Sequence, residues 1–395
     1  MSESIECPGF EAWGVASGIK KNGAPDLGLI CSRVPATVAG VFTRNQVQAA
    51  PVLVSRERIA AGKARAVIVN SGNANCCTGE QGLADARAMT SLAAAGLELA
   101  PEEVLVASTG VIGAPMPMGK IESAAPGLIS GLAPHGFEAF ARAIMTTDTV
   151  PKLVRRTGSI DGRPVTLVAA AKGAGMIRPD MATMLCFICT DARVSALHLQ
   201  QSLKRAVDHT LNRITIDGDT STNDMALLLA NGVSGATVET PEQQAVFQNL
   251  LNDLLMDVGH RLVKDGEGVT KVARIIVRGA SNNEEALRIA DTVGHSPLVK
   301  TAFFGQDANW GRIIAAVGRS GVLVDPDKID LFFDGVQLVS KGRWCGPEAE
   351  ARATSVLKEP EFSVIIDLHQ GQGEESLLTC DFSVDYVKIN ADYRS

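Results

Sequence analysis

No apolar run in this 395-residue chain approaches the roughly 20 residues that a helix needs to cross a bilayer, so no membrane-spanning helix is expected. Lysine and arginine form no cluster, and the formal net charge is -7. A nucleic-acid partner is therefore not expected, because a phosphate footprint needs grouped cations. The densest basic stretch, KLVRR at 152–156, reads as a solvated face. Eight cysteines are too sparse for a disulfide scaffold, which makes reduced thiols and a cytoplasmic location the expectation. The opening MSESIECPGFEAWG lacks the basic and apolar regions of a secretory signal. No internal repeat, low-complexity linker or G-x-S-x-G elbow is present.

What is there is ordinary globular material, 46% hydrophobic and 21% charged, in a chain long enough for two domains or one large two-layer unit. Helical periodicity runs over 83–97, 136–145, 196–212, 241–264 and 284–293. Strand-like runs lie at 38–43, 64–70, 103–108, 164–171, 183–190, 225–231, 272–277, 328–333, 362–368 and 386–390. Asp334-Gly335 in DLFFDGVQLV predicts a hairpin turn. Helices and strands interleave, but the last third is rich in hairpins. The expected class is α+β or mixed α/β. Two stretches suggest boundaries, GAPMPMGK at 113–120 and the loop at 172–183.

Several motifs fail on inspection. GAPMPMGKI has five residues between its glycines where a phosphate loop has four, and Ile121 stands where Ser or Thr is required. DGDTSTND at 217–224 begins like a calcium loop but has Thr222 at the glycine position and Leu228 at the closing glutamate. It reads as a polar turn. Cys186 and Cys189 fall three apart in a predicted strand, on opposite faces, so no metal site is expected.

One loop remains. KGAGMIRPDMATML, from Lys172 to Leu185, begins loose at Gly173 and Gly175, turns at Pro179-Asp180 and reaches Thr183 at a predicted strand start. A threonine hydroxyl is a weak nucleophile without a base. A free α-amine on the same residue supplies one, if the bond after Ala182 is cut. The hydroxyl can make that cut itself, attacking the preceding carbonyl to form an ester that water releases. A small preceding residue suits such a shift, and Ala182 is small. A threonine at an ordinary strand start is the plain alternative.

The loop resembles the self-cleaving segment of the ornithine acetyltransferase (glutamate N-acetyltransferase) family. VNSGNANCCTGEQGLADA (69–86), ASTGVIG (107–113), AIMTTDT (143–149), ITIDGDTSTNDMALLLANG (214–232), KDGEGVTK (264–271), VKTAFFGQDANWGRIIAAVG (299–318) and INADYRS (389–395) are similar to family segments in family order. Together they extend over essentially the whole chain.

The resemblance implies cleavage between Ala182 and Thr183, giving an α-chain of 1–182 and a β-chain of 183–395 that stay associated, typically as a heterotetramer of two α and two β chains. It implies a fold of two β-sheets between helices with a second, smaller α/β portion. Thr183 would be the nucleophile, taking an acetyl group from N2-acetylornithine and passing it to glutamate, with ping-pong kinetics. Thr109 and Gly110 would form the oxyanion hole. Lys172 and Glu267 match substrate-binding positions, as do Thr146, Thr183, Asn390 and Ser395. By charge complementarity, Lys172 suits the α-carboxylate and Glu267 the δ-ammonium of ornithine. No cofactor is implied, although some members use acetyl-CoA as a co-substrate, for which no binding signature is visible. A related N-terminal-nucleophile acyltransferase or aminopeptidase stays open as the alternative, as does a non-catalytic scaffold.

Overall fold

The computed structural model describes residues 4–178 and 184–392. By internal packing the chain divides into two units. Among the described residues the first comprises 4–178, 184–212 and 219–262, the second 213–218 and 263–392. The stretch 113–120 and the described residues 172–178 both lie within the first unit, so neither marks the division between the units.

In the first unit the chain runs β1 (Phe10–Val15), β2 (Leu27–Phe42), α1 (Ala50–Ile59), β3 (Lys63–Asn73), α2 (Gly79–Leu97), β4 (Val104–Val111), α3 (Met118–Ser130) and α4 (Phe137–Ala143). It continues through β5 (Lys152–Ile160), β6 (Arg163–Lys172), β7 (Leu185–Thr190), β8 (Arg193–Val194), α5 (Ala196–His209), β9 (Met225–Ala230), β10 (Thr237–Val238) and α6 (Pro241–Lys264). Strand order is β4-β3-β2-β9-β7-β6-β5, with β1 also on β2. The sixteen-residue β2 is the key element. Its first half pairs with β1 and β3, its second with β9, and the β2–β3 register shifts between Cys31 and Ala36, where Arg33, Val34 and Pro35 are exposed. Pro35 has no N–H to offer the ladder, which suits a break in pairing.

The break folds the sheet on itself. Val67, Val69, Leu105 and Ala107 from β3 and β4 share one buried core with Val168, Ala170, Leu185, Phe187, Leu227 and Leu229 from β6, β7 and β9. These residues alternate along their strands, so they form two inner faces. Phe140 of α4 meets Phe187 edge to face at 5.4 Å. Each such fully buried side chain contributes about 1.5–3 kcal/mol by leaving water. The alternate residues Ala66, Ile68, Val104 and Val106 pack outward with Met89 and Ala93 of α2 and Ile121 and Leu128 of α3. On the other half, Gln200 of α5 exchanges hydrogen bonds of 3.1 Å with both the N–H and C=O of Gly40 in β2. The expected two-layer arrangement between helices is therefore present, built from one sheet bent at β2.

The second unit holds β11 (Val272–Ala280), α7 (Asn283–Gly294), α8 (Pro297–Phe304), α9 (Trp310–Gly318), β12 (Asp330–Phe333), β13 (Val336–Ser340) and β14 (Arg343–Trp344). It ends with α10 (Pro347–Val356), β15 (Glu361–Asp367), β16 (Gly373–Cys380) and α11 (Val384–Asp392). Its sheet order is β14-β13-β12-β15-β11-β16. One face packs Ile275, Val277, Val364 and Ile366 against Ile289 and Val293 of α7 and Ile313 and Val317 of α9. The Asp334-Gly335 turn joins β12 and β13 antiparallel, as expected, with Asp334 at φ +47°.

Residues 386–390, predicted as a strand, are helical. Ser383 Oγ accepts the Tyr386 N–H at 3.1 Å, an N-cap that starts α11 and overrides the β preference of Tyr, Val and Ile. KLVRR is not a solvated face either: Lys152 is fully buried.

Candidate active site

At the ends of β3 and β4 the ladder becomes irregular, with Asn73 facing both Thr109 and Val111. Gly110 lies there with φ +130°, and a Cβ on it would come 2.4 Å from the Gly72 carbonyl carbon. Only glycine fits both the torsion and the approach. Its neighbour Thr109 is half-buried, and Lys172 Nζ at the end of β6 donates to Thr109 Oγ1 at 3.4 Å. The bend in β2 thus brings together two residues singled out in different layers.

Thr146 belongs to the same neighbourhood. Its N–H donates to Asp148 Oδ2 at 2.9 Å, while Asp148 Oδ1 accepts from the Gly173 N–H at 2.7 Å and from Lys152 Nζ. The Asp148–Lys152 pair is fully buried. Burial alone would raise the Asp148 carboxyl, but the charges of Lys172 and Lys152 and the Gly173 amide outweigh it and hold the pKa at about 2. Asp148 was visible within AIMTTDT but not singled out, since an acid in a loop has no local signal for burial.

A second acid behaves in the opposite way. Asp224, just before β9, is buried and its Oδ2 has no hydrogen-bond partner among the described residues. Burial pushes its carboxyl well above the usual range, against the opposing pull of Lys172 and its hydrogen bonds. The next amide, of Met225, donates to the Met184 carbonyl at 3.1 Å, so Asp224 lies close to the residue that follows Thr183 in the chain. Lys20, in the β1–β2 loop, feels Asp148 and Lys172 as well. Burial lowers it to about 8, with Asp26 and Asp148 raising it and Lys172 lowering it. Nothing in GIKKNG marks Lys20 in advance.

Glu267 and Asn390 lie in the second unit, and Asn390 Nδ2 donates to Glu267 Oε2 at 2.8 Å. The loop that carries Glu267 is locked to α11: Ser383 Oγ donates to the Gly268 carbonyl at 2.6 Å. A Cβ on Gly268, at φ +66°, would lie 2.4 Å from the Tyr386 nitrogen. Lys172 and Glu267 are each 8% exposed, which excludes a role as solvated surface charges. Thr183, Ala182 and Ser395 lie outside the described residues. Among the described residues no three His, Cys, Asp or Glu side chains gather as metal ligands, and no helix is long and apolar enough to cross a membrane.

A glycine-shaped amide corner, a hydroxyl and a buried lysine at one end of a two-layer sandwich suit an acyltransferase, which must hold an oxyanion and an anionic substrate together. The profile of the ArgJ family matches residues 11–395. The arginine biosynthesis bifunctional protein ArgJ of Geobacter sulfurreducens is 53% identical over 389 residues, covering 98% of this chain and 99% of its own. The same-named protein of Syntrophotalea carbinolica is 53% identical over 397 residues, covering 99% and 100%. The crystal structure of the arginine biosynthesis bifunctional protein argJ of Bacillus halodurans is 42% identical, with a TM-score of 0.51, and covers 53% of this chain and 100% of that one. The chain belongs to the ArgJ family and is an acyltransferase.

Proposed function

We propose that this enzyme moves an acetyl group from N2-acetylornithine to glutamate in arginine biosynthesis, through an acetyl ester on Thr183. Thr183 first attacks the Ala182 carbonyl, the peptide shifts to an ester, and water releases residues 1–182 from residues 183–395. The freed α-amine of Thr183 then takes the proton from its own hydroxyl as Oγ attacks the acetyl carbonyl. Thr109 and Gly110 hold the oxyanion. The C–N bond breaks, and the amine hands its proton to the departing α-nitrogen of ornithine. The glutamate amine next attacks the ester, the C–O bond breaks, and the hydroxyl recovers its proton. Lys172, with Thr146 beside it, holds a substrate carboxylate. Glu267, oriented by Asn390, holds the ornithine δ-ammonium, and Ser395 is a further substrate-binding position. Two α and two β chains make the working assembly.

The observation that carries this reading is the approach of Lys172 to Thr109 across the sandwich, with Gly110 shaped by the Gly72 backbone. Family membership supports it, and the relatives' names call those proteins bifunctional, which suits a second activity; we read it as acetylation of glutamate with acetyl-CoA as co-substrate.

Initial rates measured across acetylornithine and glutamate concentrations test the reading. Parallel double-reciprocal lines and glutamate-dependent release of ornithine are expected. Ornithine release that is independent of glutamate would instead show transfer to water and an aminopeptidase-like hydrolase.

A further inference from the structure

The polar turn DGDTSTND, which is not a calcium loop, ends in a side chain with an unusual set of partners. Asn223 Nδ2 donates to the Ala74 carbonyl at 2.6 Å and to the Ser108 carbonyl at 2.8 Å. Its Oδ1 accepts from Thr222 Oγ1 at 2.6 Å. Both amide hydrogens and the carbonyl are therefore used, in a side chain only 4% exposed. The orientation is unambiguous, since a flipped amide would aim its oxygen at two carbonyl oxygens.

The Ser108 carbonyl belongs to the peptide that carries the Thr109 N–H. Gripping that carbonyl sets the plane of the Ser108–Thr109 peptide, and with it the directions of the Thr109 side chain and the peptide leading to Gly110. Ser108 is held from its other end too: its Oγ donates to Asn70 Oδ1 at 2.6 Å, and Asn70 Nδ2 donates to the Asn73 carbonyl at 2.9 Å. Asn70 and Ser108 are fully buried. The Ala74 bond fixes the chain that follows β3, whose Gly72 presses on Gly110. The turn itself is anchored at the edge of β2, where the Thr43 N–H donates to the Asp224 carbonyl at 2.9 Å and Thr43 Oγ1 to the Ser221 carbonyl at 2.7 Å. Two residues further on, Met225 is tied to Met184. Asn223 thus spans from the turn before β9 to the strand end bearing Thr109 and Gly110.

We propose that Asn223 is a positioning residue for the oxyanion hole, clamping the Ala74 and Ser108 carbonyls so that Thr109 and Gly110 meet the developing charge. The proposal rests on the reading of Thr109 and Gly110 as the oxyanion donors. No other side chain of this size offers two donors and one acceptor. Aspartate offers acceptors only, and turns the clamp into a repulsion.

The test uses processed wild-type enzyme with Asn223→Asp and Asn223→Ala, the cleaved fraction being read from intact mass. Acetyl-enzyme formed from acetylornithine without glutamate titrates the active sites, so misfolded protein does not count. Per titrated site, kcat is expected to fall by about 10²-fold, as for a small misplacement at a reacting centre, with KM within a few-fold. Asn223→Asp should regain activity as pH is lowered, because a protonated carboxyl can donate once. The carbonyl stretch of the acetyl-enzyme should move to higher frequency in both variants as polarisation by the hole weakens, a readout available from whichever variant folds. An unchanged carbonyl stretch with kcat per site within threefold of wild type overturns the proposal while the oxyanion reading stands. A wild-type enzyme that forms no acetyl-enzyme overturns both.

Discussion

The Gly173 amide donates to Asp148 Oδ1 at 2.7 Å, so the residue after Lys172 is tied to the turn that carries Thr146. One carboxylate fixes the backbone beside Lys172 and at Thr146, the two positions proposed to hold a substrate carboxylate, and has a fully buried lysine as its counter-ion. Breaking such a pair from one side leaves an uncompensated buried charge, at about 3–5 kcal/mol. Asp148→Asn should lose that much stability at pH 7. A carboxyl with a depressed folded pKa contributes stability above its unfolded value of 3.8, which is lost as pH falls through about 2. The difference between wild type and variant in urea should therefore shrink below pH 4. A difference that does not change from pH 7 to pH 2.5 would mean the pair is not charged.

Asp224 provides the opposite case beside the same lysine. Its folded pKa is raised by burial, so the group costs stability as pH rises above its unfolded value of 3.8. Asp224→Asn keeps the shape and removes the titration. At pH 7 the variant should equal or exceed wild type in stability, and the two should converge at pH 4 and below. A large loss at pH 7 alone would assign Asp224 as a charged partner of Lys172.

Gly110→Ala is expected to remove most activity. The added methyl would lie 2.4 Å from the Gly72 carbonyl carbon at a φ that alanine avoids, so the strand end must shift. Loss of one oxyanion donor typically lowers kcat by about 10²–10³. KM for acetylornithine should change little. A variant with near-normal kcat would place the oxyanion elsewhere.

Glu267→Gln separates the two substrates. Asn390 can still bond the amide, but the charge that complements a δ-ammonium is gone. A hydrogen bond to a charged group is worth about 1.5–3 kcal/mol, or roughly 10- to 100-fold in KM for acetylornithine. Glutamate lacks that ammonium, so its KM should move less. Equal effects on both would remove Glu267 from ornithine recognition.

Much of the fold could be read along the chain because its signals are local. The helix at 241–264 follows from an unbroken 3.6-residue period, and the Asp334-Gly335 hairpin from turn chemistry. Strand β2 was half missed: only 38–43 looked like a strand, because Arg33-Val34-Pro35 interrupts the pattern at the bend that creates the two layers. The 386–390 segment was misread because its β-branched residues were weighed and the cap at Ser383 was not. For the site, Gly110 and Lys172 came from resemblance to a family; the structure adds a backbone that only glycine fits at 110 and a buried place for Lys172. Asp148, Asp224 and Asn223 were hidden because their chemistry depends on burial and on partners as much as 149 residues away, as Asn223 is from Ala74.

The proposed function requires Thr183 to cut the chain and then to carry the acetyl group. Intact mass under denaturing conditions, recorded before and after incubation with acetylornithine alone, tests both halves together. Two fragments that divide between Ala182 and Thr183 are expected, with the mass of one acetyl group added to the fragment that begins at Thr183. A single uncut chain, or a cut chain that gains no acetyl group while still releasing ornithine, would contradict it.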